Sequence, residues 1–184
     1  IIALIYVYIK NRWVSSREVG NAKMAKIAKN IADGAMAFLK AEYKILSIFV
    51  IFTSVLLAIK GINEGTSWLV SLSLIIGAPC SGLAGFIGMK VATKANVRTT
   101  NAAQDSLGKA LSIAFTGGSV MGLGVVGLGL LGLTGLYLFY AEIMAWGIDQ
   151  TLEVLAGFSF GASSIALFAR VGGWIYTKAA DVGA

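Results

Sequence analysis

The chain is 184 residues long, 57% hydrophobic and only 13% charged, where a soluble domain carries roughly 25% charge. Together with a mean hydropathy of +0.80, these values exclude a soluble domain and predict an all-α integral membrane protein. There is no histidine, which excludes a histidine-ligated metal or a histidine general base in this stretch. The lone cysteine, Cys80, cannot form an intrachain disulfide.

Five apolar segments predict membrane helices along the chain. Residues 1–9 are too few to span a bilayer, which takes about 20 apolar residues, so we interpret them as the end of a partial first helix. We place the other four helices at residues 38–60, 68–90, 111–140 and 154–178. Apolar residues at helical spacing before the second segment predict a helix that begins in water and then enters the membrane. We therefore interpret residues 1–184 as one part of a transmembrane domain, truncated at both ends.

The charges between these segments alternate, and this alternation predicts the orientation. The connections after the first and third segments are rich in basic residues: Lys10, Arg12, Arg17, Lys23, Lys26, Lys29, Lys40 and Lys44, then Lys90, Lys94, Arg98 and Lys109. The other two connections hold Lys60 with Glu64, and then three carboxylates without a base. Basic loops stay in the cytoplasm, so the carboxyl end of the fifth helix is predicted to be cytoplasmic. The net charge of +6 is thereby explained without nucleic acid.

Small residues recur at helical spacing in the apolar segments. Gly118 with Gly122, the ridge of Gly77, Ser81 and Gly85, and the pair Gly157 and Gly161 predict close helix packing. A phosphate-binding loop at residues 117–119 is excluded, because the following Lys-Ser/Thr and the preceding strand are missing.

The fifth segment carries a polar stripe. At 100° per residue, Ser159, Ser163, Trp174, Thr177 and Asp181 fall within about 40° of Arg170, as expected for a helix that lines a wet or ion-conducting interior. Arg170 lies roughly 16 Å from Asp181 along the helix, so each needs a partner on another helix. From spacing alone, Lys178 and Asp181 could equally be a solvated helix end, and Arg170 could extend toward the interface.

Residues 170–184 read R-V-G-G-W-I-Y-T-K-A-A-D-V-G-A. They resemble the fifth helix of the membrane-bound, ion-pumping pyrophosphatases, which reads R-V-G-G-G-[IV]-[YF]-T-K-A-A-D. The resemblance runs in order through nearly the whole chain, with GNAKM at 20–24, GAMAFLKAEYK at 34–44, GMKVATKANVR at 88–98 and GGSVMG at 117–122.

The resemblance implies a homodimer whose subunits have about sixteen transmembrane helices each. It implies hydrolysis of magnesium pyrophosphate at the cytoplasmic face of the cell membrane, with Na⁺ or H⁺ pumped outward. By position, Lys178 would contact pyrophosphate, Asp181 would bind pyrophosphate and Mg²⁺, and Arg170 would form the ion gate. No catalytic residue is assigned. The implied cofactors are Mg²⁺ and, in part of the family, K⁺, and the membrane lipid is a further partner.

Two departures from the family pattern limit this reading. Trp174 stands where the family has the last of three glycines, and the second aspartate and the later aspartates of the family site are absent. The segment alone is therefore expected to be inactive. The residues Leu-Phe-Ala-Arg at 167–170 favour the potassium-stimulated members, many of which move sodium. The alternative is a non-enzymatic channel or secondary transporter in which Arg170 binds an anion.

Overall fold

The computed structural model describes residues 1–63 and 68–183, and α-helices account for nearly all of them. The helices are α1 (Ile2–Ser15), α2 (Ala22–Asn63), α3 (Leu69–Ala103), α4 (Leu107–Leu138) and α5 (Ile148–Gly183). Neither of the two described ranges contains a strand. The predicted all-α class is confirmed, and it follows from the need to satisfy every backbone group inside lipid.

Four helices are long and apolar enough to cross a membrane: Ala22–Asn63, Leu69–Ala103, Leu107–Ile143 and Ile148–Lys178. The chain is therefore a multi-pass membrane protein. Helix α2 has 42 residues and a length of about 63 Å, twice the roughly 30 Å of a hydrocarbon core. The amphipathic start and the apolar segment are thus one continuous helix, as the sequence predicts. Where each helix enters and leaves the bilayer stays a prediction, and Glu64 lies outside the described residues.

The chain divides into two compact units. One comprises Ile1–Lys40 with Ala84–Gly127, and the other Ala41–Leu83 with Leu128–Ala184. In the first unit, Val7, Val91 and Val120 form the buried core, and Ile87 and Leu123 pack against it. The three valines come from α1, α3 and α4, so these three helices share this core.

A polar contact fixes the turn after α1 in the first unit. The Arg98 side chain on α3 donates from Nε to the Arg17 carbonyl oxygen at 3.0 Å and from Nη2 to the Ser15 carbonyl oxygen at 3.2 Å. Arg17 in turn places its guanidinium 4.1 Å from the ring centre of Trp13. Carbonyls that have left the α1 ladder are thereby satisfied by one guanidinium.

We expect Arg98→Ala to free this turn. The two charge-assisted hydrogen bonds to this turn are lost, together with a third from Nη1 to the Lys94 carbonyl oxygen within α3. Because the site is partly exposed, the cost is about 1–2 kcal/mol of unfolding free energy. Limited proteolysis of the full-length protein in detergent should show faster cleavage within residues 16–21. Arg12→Ala is the control, since the exposed Arg12 side chain contacts Tyr8 within α1, 3.3 Å from its hydroxyl and 5.8 Å from its ring centre. Equal cleavage of the two variants would contradict the assignment.

The second unit is built around Tyr140. Its side chain is fully buried, its hydroxyl lies 3.1 Å from the Ser73 hydroxyl, and its ring stacks on Trp146 with centres 5.5 Å apart. Tyr140 belongs to a short π-helical segment, Phe139–Ile143, that ends α4. Leu69, Leu136, Val154, Leu155 and Phe158 complete the core around it.

Glycines allow α3 and α5 to approach closely in the second unit. A Cβ at Gly157 would collide with the Val70 carbonyl oxygen, and one at Gly161 with that of Leu74. Gly77 faces the Phe158 carbonyl in the same way. The predicted packing role of Gly77, Gly157 and Gly161 is confirmed, since only glycine lets the two backbones touch here.

The predicted packing role of Gly118 and Gly122 is not met within the described residues. No atom there lies within 4 Å of a Cβ built at either position, whereas the neighbouring Gly117 faces the Ala95 methyl group at 2.9 Å. The rotation of α4 turns a different glycine toward α3, and spacing in the sequence does not fix that rotation.

Candidate functional site on the fifth helix

Helix α5 has one face that packs against its own unit. Val154, Leu155, Phe158 and Ile165 are buried on this face, each 7% exposed or less. Phe168 adds an edge-to-face ring contact with Phe49 of α2, with centres 5.1 Å apart. The face is a narrow apolar stripe, and its burial fixes the rotation of the whole helix.

The polar stripe lies on the other side of α5. Its members are all exposed: Ser159, Ser163, Arg170, Trp174, Thr177 and Asp181. The helical geometry that aligns these residues therefore also directs them away from the apolar stripe. Among the residues that the structure describes, none of their side chains is covered by a neighbouring helix.

The structure brings Lys178 and Asp181 together. The Lys178 Nζ lies 3.6 Å from the Asp181 Oδ2, and the side chains are 81% and 68% exposed. An exposed pair at this spacing contributes only a few tenths of a kcal/mol. Either side chain can therefore leave this ion pair and bind a ligand instead, at a small cost in free energy.

The Arg170 side chain does not lie near the pair of Lys178 and Asp181. It lies exposed on the same stripe, three helical turns and about 16 Å before Asp181. It forms no hydrogen bond or ion pair with any residue in the described ranges. Because α5 runs without interruption from Ile148 to Gly183, its rigidity fixes this separation.

The donor set at this end of α5 fits a shared metal site but not a complete one. No group of three or more His, Cys, Asp or Glu side chains that could hold a metal occurs in the described part of the chain. Mg²⁺ is usually held by one or two carboxylates together with substrate phosphates and water. The exposed carboxylate of Asp181 can supply one of these ligands, so the residues present are compatible with Mg²⁺ held jointly with substrate.

Trp174 follows Arg170 by one turn of the stripe and is 69% exposed. Its carbonyl oxygen accepts a hydrogen bond from the Thr177 hydroxyl at 2.9 Å. Nothing in the structure explains an indole at this position.

One polar residue emerges only from the structure. The sequence places Glu42 near the start of the second apolar segment, between two lysines, yet both of its carboxylate oxygens are buried and have no hydrogen-bond partner among the described residues. The available signal in the sequence was a carboxylate inside a predicted span. The neighbouring lysines at 40 and 44 made Glu42 look like part of a charged connection instead.

The fold and the site define a class. Helices that can span a membrane, one of them with an uncovered stripe of arginine, lysine and aspartate, are typical of multi-pass proteins that handle ions. A model of the family described as Inorganic H⁺ pyrophosphatase matches residues 1–184. The chain belongs to this family.

Curated relatives match the chain over its full length. A protein of Clostridium tetani assigned as a K(+)-stimulated pyrophosphate-energized sodium pump is 52% identical over 184 residues, all of this chain and 25% of the relative. A K(+)-insensitive pyrophosphate-energized proton pump of Methanosarcina mazei is 40% identical, again over all of this chain and 26% of the relative. A second protein assigned as such a sodium pump, from Bacteroides thetaiotaomicron, is 44% identical. The chain spans about a quarter of the length of these relatives.

Proposed function

We propose that this chain is part of a pyrophosphate-energized ion pump, which couples the hydrolysis of magnesium pyrophosphate to the movement of Na⁺ or H⁺ out of the cytoplasm. One observation carries the proposal: the match to the Inorganic H⁺ pyrophosphatase family extends over every residue of the chain. The basic connections after α1 and α3 support a cytoplasmic location for the carboxyl end of α5. The protein would lie in the cell membrane.

In this proposal Lys178 and Asp181 form one wall of the pyrophosphate site. Pyrophosphate carries several negative charges, and a lysine ammonium is a compact cation suited to binding them. Asp181 would hold Mg²⁺, which would supply positive charge to the pyrophosphate anion. Lys178 and Asp181 would release each other, and both are more than 65% exposed, so little is lost when they do.

Arg170 would act as a gate between this site and the membrane interior. An arginine guanidinium is a fixed positive charge, so a gate built on Arg170 works by a change of its partners or its position. A charge that cannot be neutralised needs carboxylates on neighbouring helices at this depth. The uncovered stripe around Arg170 is where helices from the remaining length of the protein would supply them.

We propose further that the pump is the K⁺-stimulated, sodium-transporting type and that its subunits form a homodimer. Two of the relatives, at 52% and 44% identity, are assigned as K(+)-stimulated sodium pumps. A K(+)-insensitive proton pump of Moorella thermoacetica is also 44% identical, so K⁺ dependence is a matter for direct measurement. The segment 1–184 is expected to be inactive alone, because the described residues supply only one carboxylate to the site.

Membranes that carry the full-length protein test the proposal directly. We expect phosphate release from pyrophosphate that requires Mg²⁺, is lost on chelation and is recovered when Mg²⁺ is restored. Stimulation by K⁺ would support the sodium-pump type. A channel or secondary transporter would instead show ion flux with no phosphate release, and that result would overturn the proposal.

A further inference from the structure

Glu42 is an acidic side chain whose surroundings do not stabilise a negative charge. Both carboxylate oxygens are buried, and neither has a hydrogen-bond partner among the residues that the structure describes. An ionised carboxylate in such surroundings is strongly destabilised, whereas a protonated one is tolerated. The carboxyl group is therefore expected to be neutral in the conformation seen here.

Glu42 lies in the second unit, one helical turn before the buried Leu46 on the same face of α2. Leu46 packs with Ala78 of α3 and Ile165 of α5. The adjacent Tyr43 donates its hydroxyl to the Gly82 carbonyl oxygen at 2.6 Å. Glu42 is thus at the level of Gly82, where α2 faces α3.

The contacts between α3 and α5 place Arg170 at the same level. Gly157 contacts Val70, Gly161 contacts Leu74, and Ile165 packs with Ala78. In each pair the α5 residue number exceeds the α3 residue number by the same amount, so the two parallel helices keep a constant register. The same offset pairs Gly82 of α3 with Ala169 of α5, the residue before Arg170. The backbones at Glu42 and Arg170 are therefore at about the same level, and the Arg170 side chain lies on the exposed side of α5.

Few other groups that can carry charge are near this level. Residues 69–83 of α3 have no ionisable side chain except the Cys80 thiol. Between Glu153 and Lys178, α5 has Arg170 and, two turns further on, the Tyr176 hydroxyl. On α2, the lysines at 40 and 44 are exposed and two residues away, a spacing that does not face Glu42. On α3 and α5, Arg170 is the permanently charged side chain nearest to this level among the described residues.

We propose that Glu42 is an ion-linked carboxyl of the pump, which holds a proton in the conformation seen here and releases and regains it during the transport cycle. Buried carboxyl groups at membrane depth serve as proton relays because their charge depends on the state of nearby charges. When Arg170 changes partners, the stability of an ionised Glu42 changes with it.

The proposal rests on the pumping activity proposed above, and the two can be tested separately in sealed inverted vesicles. Ion uptake and phosphate release are measured together, as a function of pH and of Na⁺, for the full-length wild type, Glu42→Gln, Glu42→Asp and the control Glu153→Gln. Exposed Glu153 lies near the other end of α5. If vesicles with the wild-type protein showed no ion uptake, the proposed pumping activity itself would be refuted.

If the wild type pumps, Glu42→Gln is expected to lower the ratio of ions moved to pyrophosphate hydrolysed on the order of tenfold. It should also flatten one limb of the pH profile, because glutamine cannot titrate. Glu42→Asp should restore a pH-dependent ratio with a displaced profile, and Glu153→Gln should match the wild type. A glutamine variant with the wild-type ratio and profile would overturn the proposal, as would a Na⁺ dependence altered with no change in pH dependence. If Glu42→Gln does not accumulate, a wild-type profile for Glu42→Asp would also overturn it.

Discussion

Asp181→Asn in the full-length protein is expected to reduce Mg²⁺-dependent pyrophosphate hydrolysis on the order of 100-fold or more. Asparagine keeps the size and one oxygen of the side chain but removes the charge that would bind Mg²⁺ together with pyrophosphate. Stability should change little, because the side chain is 68% exposed and the ion pair that it forms with Lys178 is itself exposed. Phosphate release and thermal unfolding, measured on the same preparation, separate the two effects.

Asp149→Asn is the matched control for Asp181→Asn. Asp149 is also an exposed aspartate of α5, but it lies in the first turn. There its charge stabilises the helix amino terminus by about 0.3–1 kcal/mol, so a small loss of stability with normal hydrolysis is expected. Wild-type hydrolysis by Asp181→Asn would remove Asp181 from the proposed site.

Gly157→Leu is expected to have the largest effect on folding. The first added carbon would already collide with the Val70 carbonyl oxygen, and a backbone group cannot move aside as a flexible side chain can. Helices α3 and α5 would have to separate around the buried Val154 and Phe158. We expect a loss of about 2–4 kcal/mol in unfolding free energy, seen as a lower midpoint of thermal unfolding in detergent.

The control for this substitution is Gly108→Leu. A Cβ at Gly108 meets no atom within 4 Å in the described chain, and replacing a helical glycine by leucine favours the helix by up to about 1 kcal/mol. The control should be as stable as the wild type or more so. If Gly157→Leu unfolded at the wild-type midpoint, the close approach of the two backbones at Val70 would be refuted.

Features that depend on local composition could be predicted from the sequence. The apolar segments that form α2 to α5 are long enough that only helices satisfy their backbone in lipid, and the small residues of α3 and α5 marked a real contact. Gly118 and Gly122 show where such reasoning ends, because a GxxxG spacing does not say which way its helix is turned. That rotation is set by packing, as the contact of the adjacent Gly117 with Ala95 demonstrates.

The candidate site was predictable to a similar depth. Helical periodicity alone placed Arg170 and Asp181 on one stripe, and the structure shows that this stripe is uncovered. The roles of Arg170, Lys178 and Asp181 came only from the family resemblance, since a lysine and an aspartate three residues apart also occur on any solvated helix. The position of Glu42 inside a predicted span was visible in the sequence, but the burial of its carboxylate was not, because that burial depends on how α2 turns toward α3.

The central claim is that pyrophosphate hydrolysis drives ion movement, and one measurement tests it most directly. Pyrophosphate and Mg²⁺ are added to sealed inverted vesicles with the full-length protein, while phosphate release and the internal concentrations of Na⁺ and H⁺ are recorded. The account predicts phosphate release together with uptake of one of these ions into the lumen, and loss of both in Asp181→Asn. Phosphate release without uptake of either ion, or no release, would contradict it.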